Sequence, residues 1–184
     1  GNTTPALVPV DVVGSQGIIA ISSGDSHVCA INSSFFAGNV VQCWGRNNRN
    51  QVGSSQSYVT EPRIVDGNLP ATGLMLGFEQ SCAILPGAAP QCWGRNAAGE
   101  LGIGSRVSPI VAPTAMIKLA PRVTTLELGA DHSCVTTDQT VNRCWGRNLS
   151  YQLGTGTNTD SPTPTYPANL AAAGLQLEAG ADHS

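Results

Sequence analysis

The chain has 184 residues and a formal net charge of -3, with 41% apolar, 11% charged and 5% aromatic residues, 21 Gly, 12 Pro and 6 Cys. Average soluble domains carry about 25% charged residues, so this surface takes its polarity from Ser, Thr, Asn and Gln. With 9 Lys plus Arg against 12 Asp plus Glu there is no basic patch for a phosphate backbone, no apolar run is long enough to span a bilayer, and the apolar content excludes a disordered chain.

Read in chain order, the sequence repeats itself. Gly24-Asp25-Ser26-His27-Val28-Cys29 recurs as Gly77-Phe78-Glu79-Gln80-Ser81-Cys82, as Gly129-Ala130-Asp131-His132-Ser133-Cys134, and finally as Gly180-Ala181-Asp182-His183-Ser184. The leading glycines are 53, 52 and 51 residues apart. After each first Cys follows a second block, Gln42-Cys43-Trp44-Gly45-Arg46-Asn47, then Gln91-Cys92-Trp93-Gly94-Arg95-Asn96, then Arg143-Cys144-Trp145-Gly146-Arg147-Asn148. A turn of the form Gln/Glu-X-Gly closes each block, at Gln51 to Gly53, Glu100 to Gly102 and Gln152 to Gly154. A Pro-containing connection and an apolar stretch such as Leu74-Met75-Leu76 lead to the next glycine. Units of about 52 residues made of short strands between Gly and Pro turns have the signature of propeller blades. The division is 1–23 as the closing segment of a preceding repeat, 24–76, 77–128 and 129–179 as three repeats, and 180–184 as the start of a fourth.

At these residues the chain resembles the regulator-of-chromosome-condensation repeat family, over residues 5 to 184. The resemblance implies an all-β fold: a seven-bladed β-propeller of four-stranded blades, of which this chain supplies about three blades plus partial ends. The chain has no initiator Met and stops one position before the Cys that its own pattern predicts, so the expectation is a processed or truncated part of a larger ring. Two departures stand out. The paired Cys are not a feature of the nuclear members and look more like extracellular versions, and the first unit has extra hairpin residues around Phe35-Phe36-Ala37-Gly38.

The six cysteines fall into pairs, Cys29 with Cys43, Cys82 with Cys92 and Cys134 with Cys144. The midpoints of the last two pairs fall in turn-like stretches, Pro86 to Pro90 and Thr137 to Thr140. A hairpin folded there sets the two Cys opposite one another, at a spacing suited to a disulfide. Disulfides persist in oxidising compartments, which points to an extracellular or cell-surface protein. Six reduced buried thiols are the alternative. Zinc is disfavoured because the His of His27-Val28-Cys29 and His132-Ser133-Cys134 is Gln80 in the second unit. The sequons at Asn2, Asn32 and Asn148 are candidate glycan acceptors, and Thr155 to Pro167 has the composition of an O-glycosylated or extended loop.

The recurring residues belong to the fold. Trp44, Trp93 and Trp145 follow a Cys on the same strand, so they face the other side of the sheet and pack between blades. Gly45, Gly94 and Gly146 permit a bulge or a close backbone approach. His27, His132 and His183 act as hydrogen-bonding bridges, since Gln replaces a neutral imidazole in that role and not as a general base. Arg46, Arg95 and Arg147 satisfy carbonyls or pair with Asp25, Glu79 or Asp131. Positions that differ between units are the candidates for function, because the shared ones are occupied by the fold. They are Phe35 and Phe36 at a hairpin tip, the loop Ser54 to Glu61 with Tyr58, the loop Arg106 to Pro113, and Thr155 to Pro167. No catalytic, metal or cofactor site is expected. The functional expectation is a non-enzymatic extracellular propeller, a protein-interaction or structural module that binds a protein partner or self-assembles into a surface assembly or filament. The alternatives are an exchange-factor-like regulator of a small GTPase, which the resemblance suggests, and a secreted enzyme inhibitor.

Overall fold

The computed structural model describes residues 6–34, 38–119, 123–138, 142–168 and 179–180. These residues are all β, with no helix among them. The first sheet contains β1 (Ile18–Ser23), β2 (His27–Asn32), β3 (Val40–Arg46) and β4 (Tyr58–Ile64). The second contains β5 (Gly73–Leu76), β6 (Gln80–Ile84), β7 (Gln91–Gly94) and β8 (Ile110–Ala115), and the third β9 (Val123–Leu128), β10 (His132–Thr137), β11 (Asn142–Gly146) and β12 (Ser161–Thr165). Each is an antiparallel meander with its strands in chain order. The first strands of successive sheets touch one another, β1 with β5 and β5 with β9. The sheets therefore converge on their first strands and fan out toward their fourth, as consecutive blades of a β-propeller do.

The sheets and the sequence periods share a length and differ in phase. β5 lies inside the sequence unit 24–76, yet it pairs with β6 of the second blade, and β1 lies before Gly24, yet it pairs with β2. Each period thus contributes three strands to one blade and the innermost strand to the next, which links neighbouring blades covalently.

The central hairpin of each blade sets its cysteines directly opposite, Cys29 with Cys43, Cys82 with Cys92 and Cys134 with Cys144. All three pairs are disulfide-bonded across a Cα separation of 4.1 Å. Two residues past the second Cys the pairing with the outer strand shifts register, at Gly45, Gly94 and Gly146. These glycines have φ of 111°, 103° and 99°, and a Cβ at any of them would stand 2.5 to 2.6 Å from a backbone oxygen of Ser26, Glu79 or Asp131. Only glycine meets both demands.

The outer strands carry Pro62, Pro113, Pro162 and Pro164. Proline lacks a ladder N–H and is tolerated at a sheet edge, where it also discourages edge-to-edge pairing. This corrects the reading of Thr155 to Pro167 as a loop, since its second half is β12, the outer strand of the third blade.

The loop into each outer strand is organised by one asparagine. Asn96 Nδ2 donates to the carbonyls of Ser105 (2.9 Å) and Val107 (3.1 Å), while its Oδ1 accepts from Leu101 N (3.1 Å). Asn47 and Asn148 make the equivalent bonds to their own loops. All three are buried. Truncating such a side chain leaves several buried backbone groups without partners, each costing about 1 to 3 kcal/mol. Asn96→Ala is therefore expected to destabilise the chain by about 2 to 3 kcal/mol, read as a lower urea midpoint at unchanged slope; a shift below about 0.5 kcal/mol would exclude the pinning role.

Candidate functional site

The polar chemistry of this chain is concentrated where one blade meets the next. At the first junction, Trp93 Nε1 (2.9 Å) and Ser81 Oγ (2.8 Å) both donate to the carbonyl of Gln51. At the second, Trp145 Nε1 (2.9 Å) and Ser133 Oγ (2.8 Å) both donate to the carbonyl of Glu100. The accepting residue opens the Gln/Glu-X-Gly turn of the preceding blade, and the glycine that ends the turn lies under the indole. A Cβ on Gly53 would come within 3.4 Å of Trp93 Nε1, and one on Gly102 within 2.7 Å of Trp145 Nε1.

Around these bonds lie the apolar cores. Cys29, Ile31, Val41 and Cys43 of the first blade pack with Leu74, Ala83, Leu85 and Trp93 of the second. Cys82, Cys92, Leu101 and Met116 of the second pack with Leu126, Val135 and Trp145 of the third. Each blade therefore turns its disulfide toward the following blade and its tryptophan toward the preceding one. Trp93 and Trp145 are fully buried, whereas Trp44 is partly exposed.

A third set of bridges comes from the His/Gln position. His27 Nε2 donates to Ser81 Oγ (2.8 Å), the tautomer being assigned because that hydroxyl gives its own proton to the Gln51 carbonyl. In the second blade Gln80 Nε2 reaches the carbonyl of Gly129 (2.8 Å). Both side chains bridge to the next blade, through different partners. Burial lowers the His27 pKa to about 4 against the opposing attraction of Asp25, so the ring is neutral. Because the unfolded state takes up the proton first, His27 contributes stability above about pH 6.5 that is lost as the pH falls toward 4.

The arginines join the same network. Asp131 accepts from Arg147 (2.9 Å) of its own blade and from Arg95 of the second blade. Arg95 Nε also lies 3.9 Å from Glu79 and 3.7 Å from Glu100, and Arg49 of the first blade stands 3.7 Å from Glu79 of the second. Glu100 is fully buried, its Oε2 accepting from Ala98 N at 2.8 Å. The same place holds Gln51 and Gln152, whose Oε1 atoms accept from Arg49 N and Ser150 N at 2.9 Å. Burial raises the Glu100 pKa above the ordinary carboxylate range, with its backbone bonds and Arg95 opposing. The stability tied to that carboxyl is present at low pH and is lost as the pH rises through the folded value. Glu100→Gln is expected to raise the thermal midpoint at pH 7 and to flatten its dependence on pH above 4.5. Equal stabilities of the two proteins from pH 4 to 8 would contradict this assignment.

The remaining candidates separate into interior and surface. Asn32 is buried, with Nδ2 donating to the Gln16 carbonyl (2.9 Å) and Gln42 Oε1 (3.0 Å), and Asn148 is buried in its loop. A glycan on either side chain replaces one of its two Nδ2 protons and would displace at least one of these bonds. Asn2, Phe35, Phe36 and His183 lie outside the described residues, as does the hairpin turn at Gln139 and Thr140. Tyr58 is exposed at the start of β4, where it lines a shallow depression with Trp44, Arg46 and Thr60. Among the described residues no three His, Cys, Asp or Glu side chains converge to hold a metal ion, and no helix is long and apolar enough to cross a membrane.

The geometry so far defines a class: consecutive disulfide-containing blades of a propeller joined by a tryptophan-to-turn lock. No family model matches the sequence. Among solved structures the chain is similar to Prp20p from Saccharomyces cerevisiae, a protein with binding properties toward Gsp1p and histones, with TM-score 0.78 and 20% identity over 90% of this chain and 42% of that one. It is similar as well to human WBSCR16, with TM-score 0.78 and 21% identity over 94% of this chain and 47% of that one. A third is yeast RCC1 (Prp20) in its complex with Kap60, with TM-score 0.73 and 20% identity over 85% and 38% of the two chains. The chain spans less than half the length of each of these proteins. These likenesses fix the fold as an RCC1-type β-propeller, here in part.

Proposed function

We propose that this chain is a non-enzymatic propeller segment that works as a protein-interaction or structural module in an extracellular or cell-surface setting. In this reading 24–76, 77–128 and 129–179 are repeats of one scaffold, flanked by the partial units 1–23 and 180–184. The observation that carries the reading is the engagement of the recurring polar side chains. The Trp, Ser, His/Gln and Asp side chains bond blade to blade, the first two onto the backbone carbonyl of the Gln/Glu position, and the recurring Asn pins its own loop. What varies between units lies on the surface: Tyr58, Phe78, Tyr151 and Tyr166 are all substantially exposed. Exposed aromatics on a rigid scaffold suit contact with another protein. The oxidising compartment is supported by six cysteines in three disulfides with none free.

The likeness to Prp20p, with its binding properties toward Gsp1p, favours a second reading as an exchange-factor-like regulator of a small GTPase. The two readings separate on the thiols. Peptide mapping under non-reducing conditions, on protein isolated from its own source, is expected to yield the linked pairs Cys29–Cys43, Cys82–Cys92 and Cys134–Cys144 with no alkylated thiol. Free Cys82 and Cys92 would overturn the extracellular setting. Added to a nucleotide-loaded small GTPase, the chain is expected to leave nucleotide release at its intrinsic rate, and a clear acceleration would establish the second reading instead.

A further inference from the structure

The loop that begins at Arg106 belongs to the second blade, and the blades on both sides of it are in place. Ser105, Arg106, Val107, Ser108 and Pro109 lead into β8 without a turn or bend, and Arg106 and Val107 are exposed to solvent. The backbone under them is held at four points. Asn96 Nδ2 donates to the carbonyls of Ser105 (2.9 Å) and Val107 (3.1 Å), one on each side of Arg106. Asn96 N donates to Ser108 Oγ (2.9 Å), and Gly104 N donates to the Pro162 carbonyl of the third blade (3.0 Å). An exposed side chain on an extended segment, between two pinned carbonyls, offers its peptide bond as a protease substrate does, but on a backbone already ordered.

The pin recurs in the other blades, around Ser55 through the carbonyls of Ser54 and Gln56, and around Asn158 through those of Thr157 and Thr159. Only the second blade places a cation at the middle position. The other exposed basic side chains among the described residues are presented differently: Arg46 and Arg63 lie in strands, Arg49 in a turn, and Lys118 has a φ of 57°. A trypsin-like serine protease selects Arg or Lys before the scissile bond through a carboxylate in its specificity pocket.

We propose that Ser105 to Ser108 is a reactive-site loop that inhibits serine proteases of trypsin-like specificity, with Arg106 in the carboxylate-lined pocket and Arg106–Val107 as the scissile bond. In the free protein Arg106 Nη2 donates to the Asp160 carbonyl (3.0 Å) and Nη1 stands 3.8 Å from the Asp160 carboxylate. An exposed pair of this kind contributes little, so the guanidinium exchanges it readily for the carboxylate of the pocket. The protease serine Oγ then adds to the Arg106 carbonyl carbon. Collapse of the adduct breaks the bond to the Val107 nitrogen, which leaves with the proton delivered by the protease histidine. In an ordinary substrate that amine departs and water releases the acyl group. Here Asn96 holds Val107 and Ser108 in place, so the amine stays beside the acyl carbon, attacks it, returns the proton to the histidine and re-forms the peptide bond. The same pinning lowers the ordering cost of binding.

This inference deepens the interaction-module reading by giving the class of the partner, and it rests on the protein-partner part of that reading and not on the compartment, so the thiol mapping and the following experiment fail independently. Trypsin assayed on a small chromogenic amide is expected to be inhibited competitively by the wild-type chain, which is recovered with Arg106–Val107 largely intact. Arg106→Ala is expected to weaken inhibition by about 100-fold or more, as loss of a central anchor does. Arg106→Lys is expected to retain it, and Arg106→Leu to transfer it from trypsin to chymotrypsin, whose pocket is apolar. The position is exposed, so none of the three disturbs the core. Asn96→Ala, assayed at a temperature where its circular dichroism is native, is expected to become a substrate. Its cut between Arg106 and Val107 is read by mass after denaturation, since no disulfide joins the two fragments. A wild-type chain that leaves trypsin fully active overturns the proposal, as does one turned over rapidly at Arg106–Val107, which would be an ordinary cleavage site. Inhibition that Arg106→Ala leaves unchanged overturns it too, because another surface would then be responsible. An Asn96→Ala chain that inhibits as tightly as wild type and stays intact would remove the pin from the mechanism and overturn the re-formation step.

Discussion

One carbonyl per junction holds this structure together. The oxygen that opens each Gln/Glu-X-Gly turn accepts two hydrogen bonds from the next blade, one from an indole and one from a serine hydroxyl. A backbone acceptor buried between sheets must be satisfied, and indole N–H is a donor only, so the pairing leaves little choice of partner. The consequences run back into the sequence. The turn must end in glycine because the ring lies over it, and the loop that follows must be held by an asparagine so that the carbonyl points outward from its blade.

The order Cys-Trp on the third strand of each blade extends the same constraint to the packing. Adjacent residues on a strand face opposite sides, so the disulfide and the indole serve different junctions. A chain with 5% aromatic residues has few large side chains to bury. It concentrates them, one tryptophan per junction, and crosslinks the hairpin that faces it. Small apolar groups and sulfur on one side of the junction meet a ring on the other: Cys29, Val41 and Cys43 meet Trp93, and Cys82, Cys92 and Leu101 meet Trp145. The disulfide thus stiffens the surface onto which the next blade is laid.

What the sequence made legible was whatever repeats with local cause. The Cys pairs sit symmetrically about a turn, the Trp follows a Cys by one, and the bulge glycine follows by two, so three copies display each role. Less legible were features whose letters carry two meanings. Asn148-Leu149-Ser150 reads as a sequon, but the same asparagine position recurs as Asn47 and Asn96 without one, and that recurrence is the signal that it pins a loop. Thr155 to Pro167 reads as loop by composition, because proline weighs against a strand everywhere except at the edge where β12 lies. The phase of the blades was hidden for a different reason: a period fixes a length and leaves open where the unit begins, and pairing of β1 with β2 and β5 with β6 depends on contacts that the period does not encode.

Two exchanges between repeats show what the junction positions demand. His27 gives way to Gln80, and both side chains donate across to the next blade although their acceptors differ, a serine hydroxyl in one case and a glycine carbonyl in the other. Gln51 and Gln152 give way to Glu100, and all three accept a backbone N–H from two residues before. In each exchange the hydrogen-bonding reach persists while the capacity to ionise changes. Burial then acts on the ionisable members in the same sense: it keeps the His27 ring neutral and holds the Glu100 carboxyl toward its protonated form, the state that most resembles glutamine. At these two positions the junctions are therefore selective for shape and hydrogen-bond direction and do not call for the ionised form, while charge is used elsewhere in them, between Arg95 and Asp131 and between Arg49 and Glu79. Polar side chains of such kinds, arranged in registered pairs between sheets, define one way for a blade to seat on its neighbour, which is what makes a stack of near-identical sheets a propeller with a fixed rotation at each step.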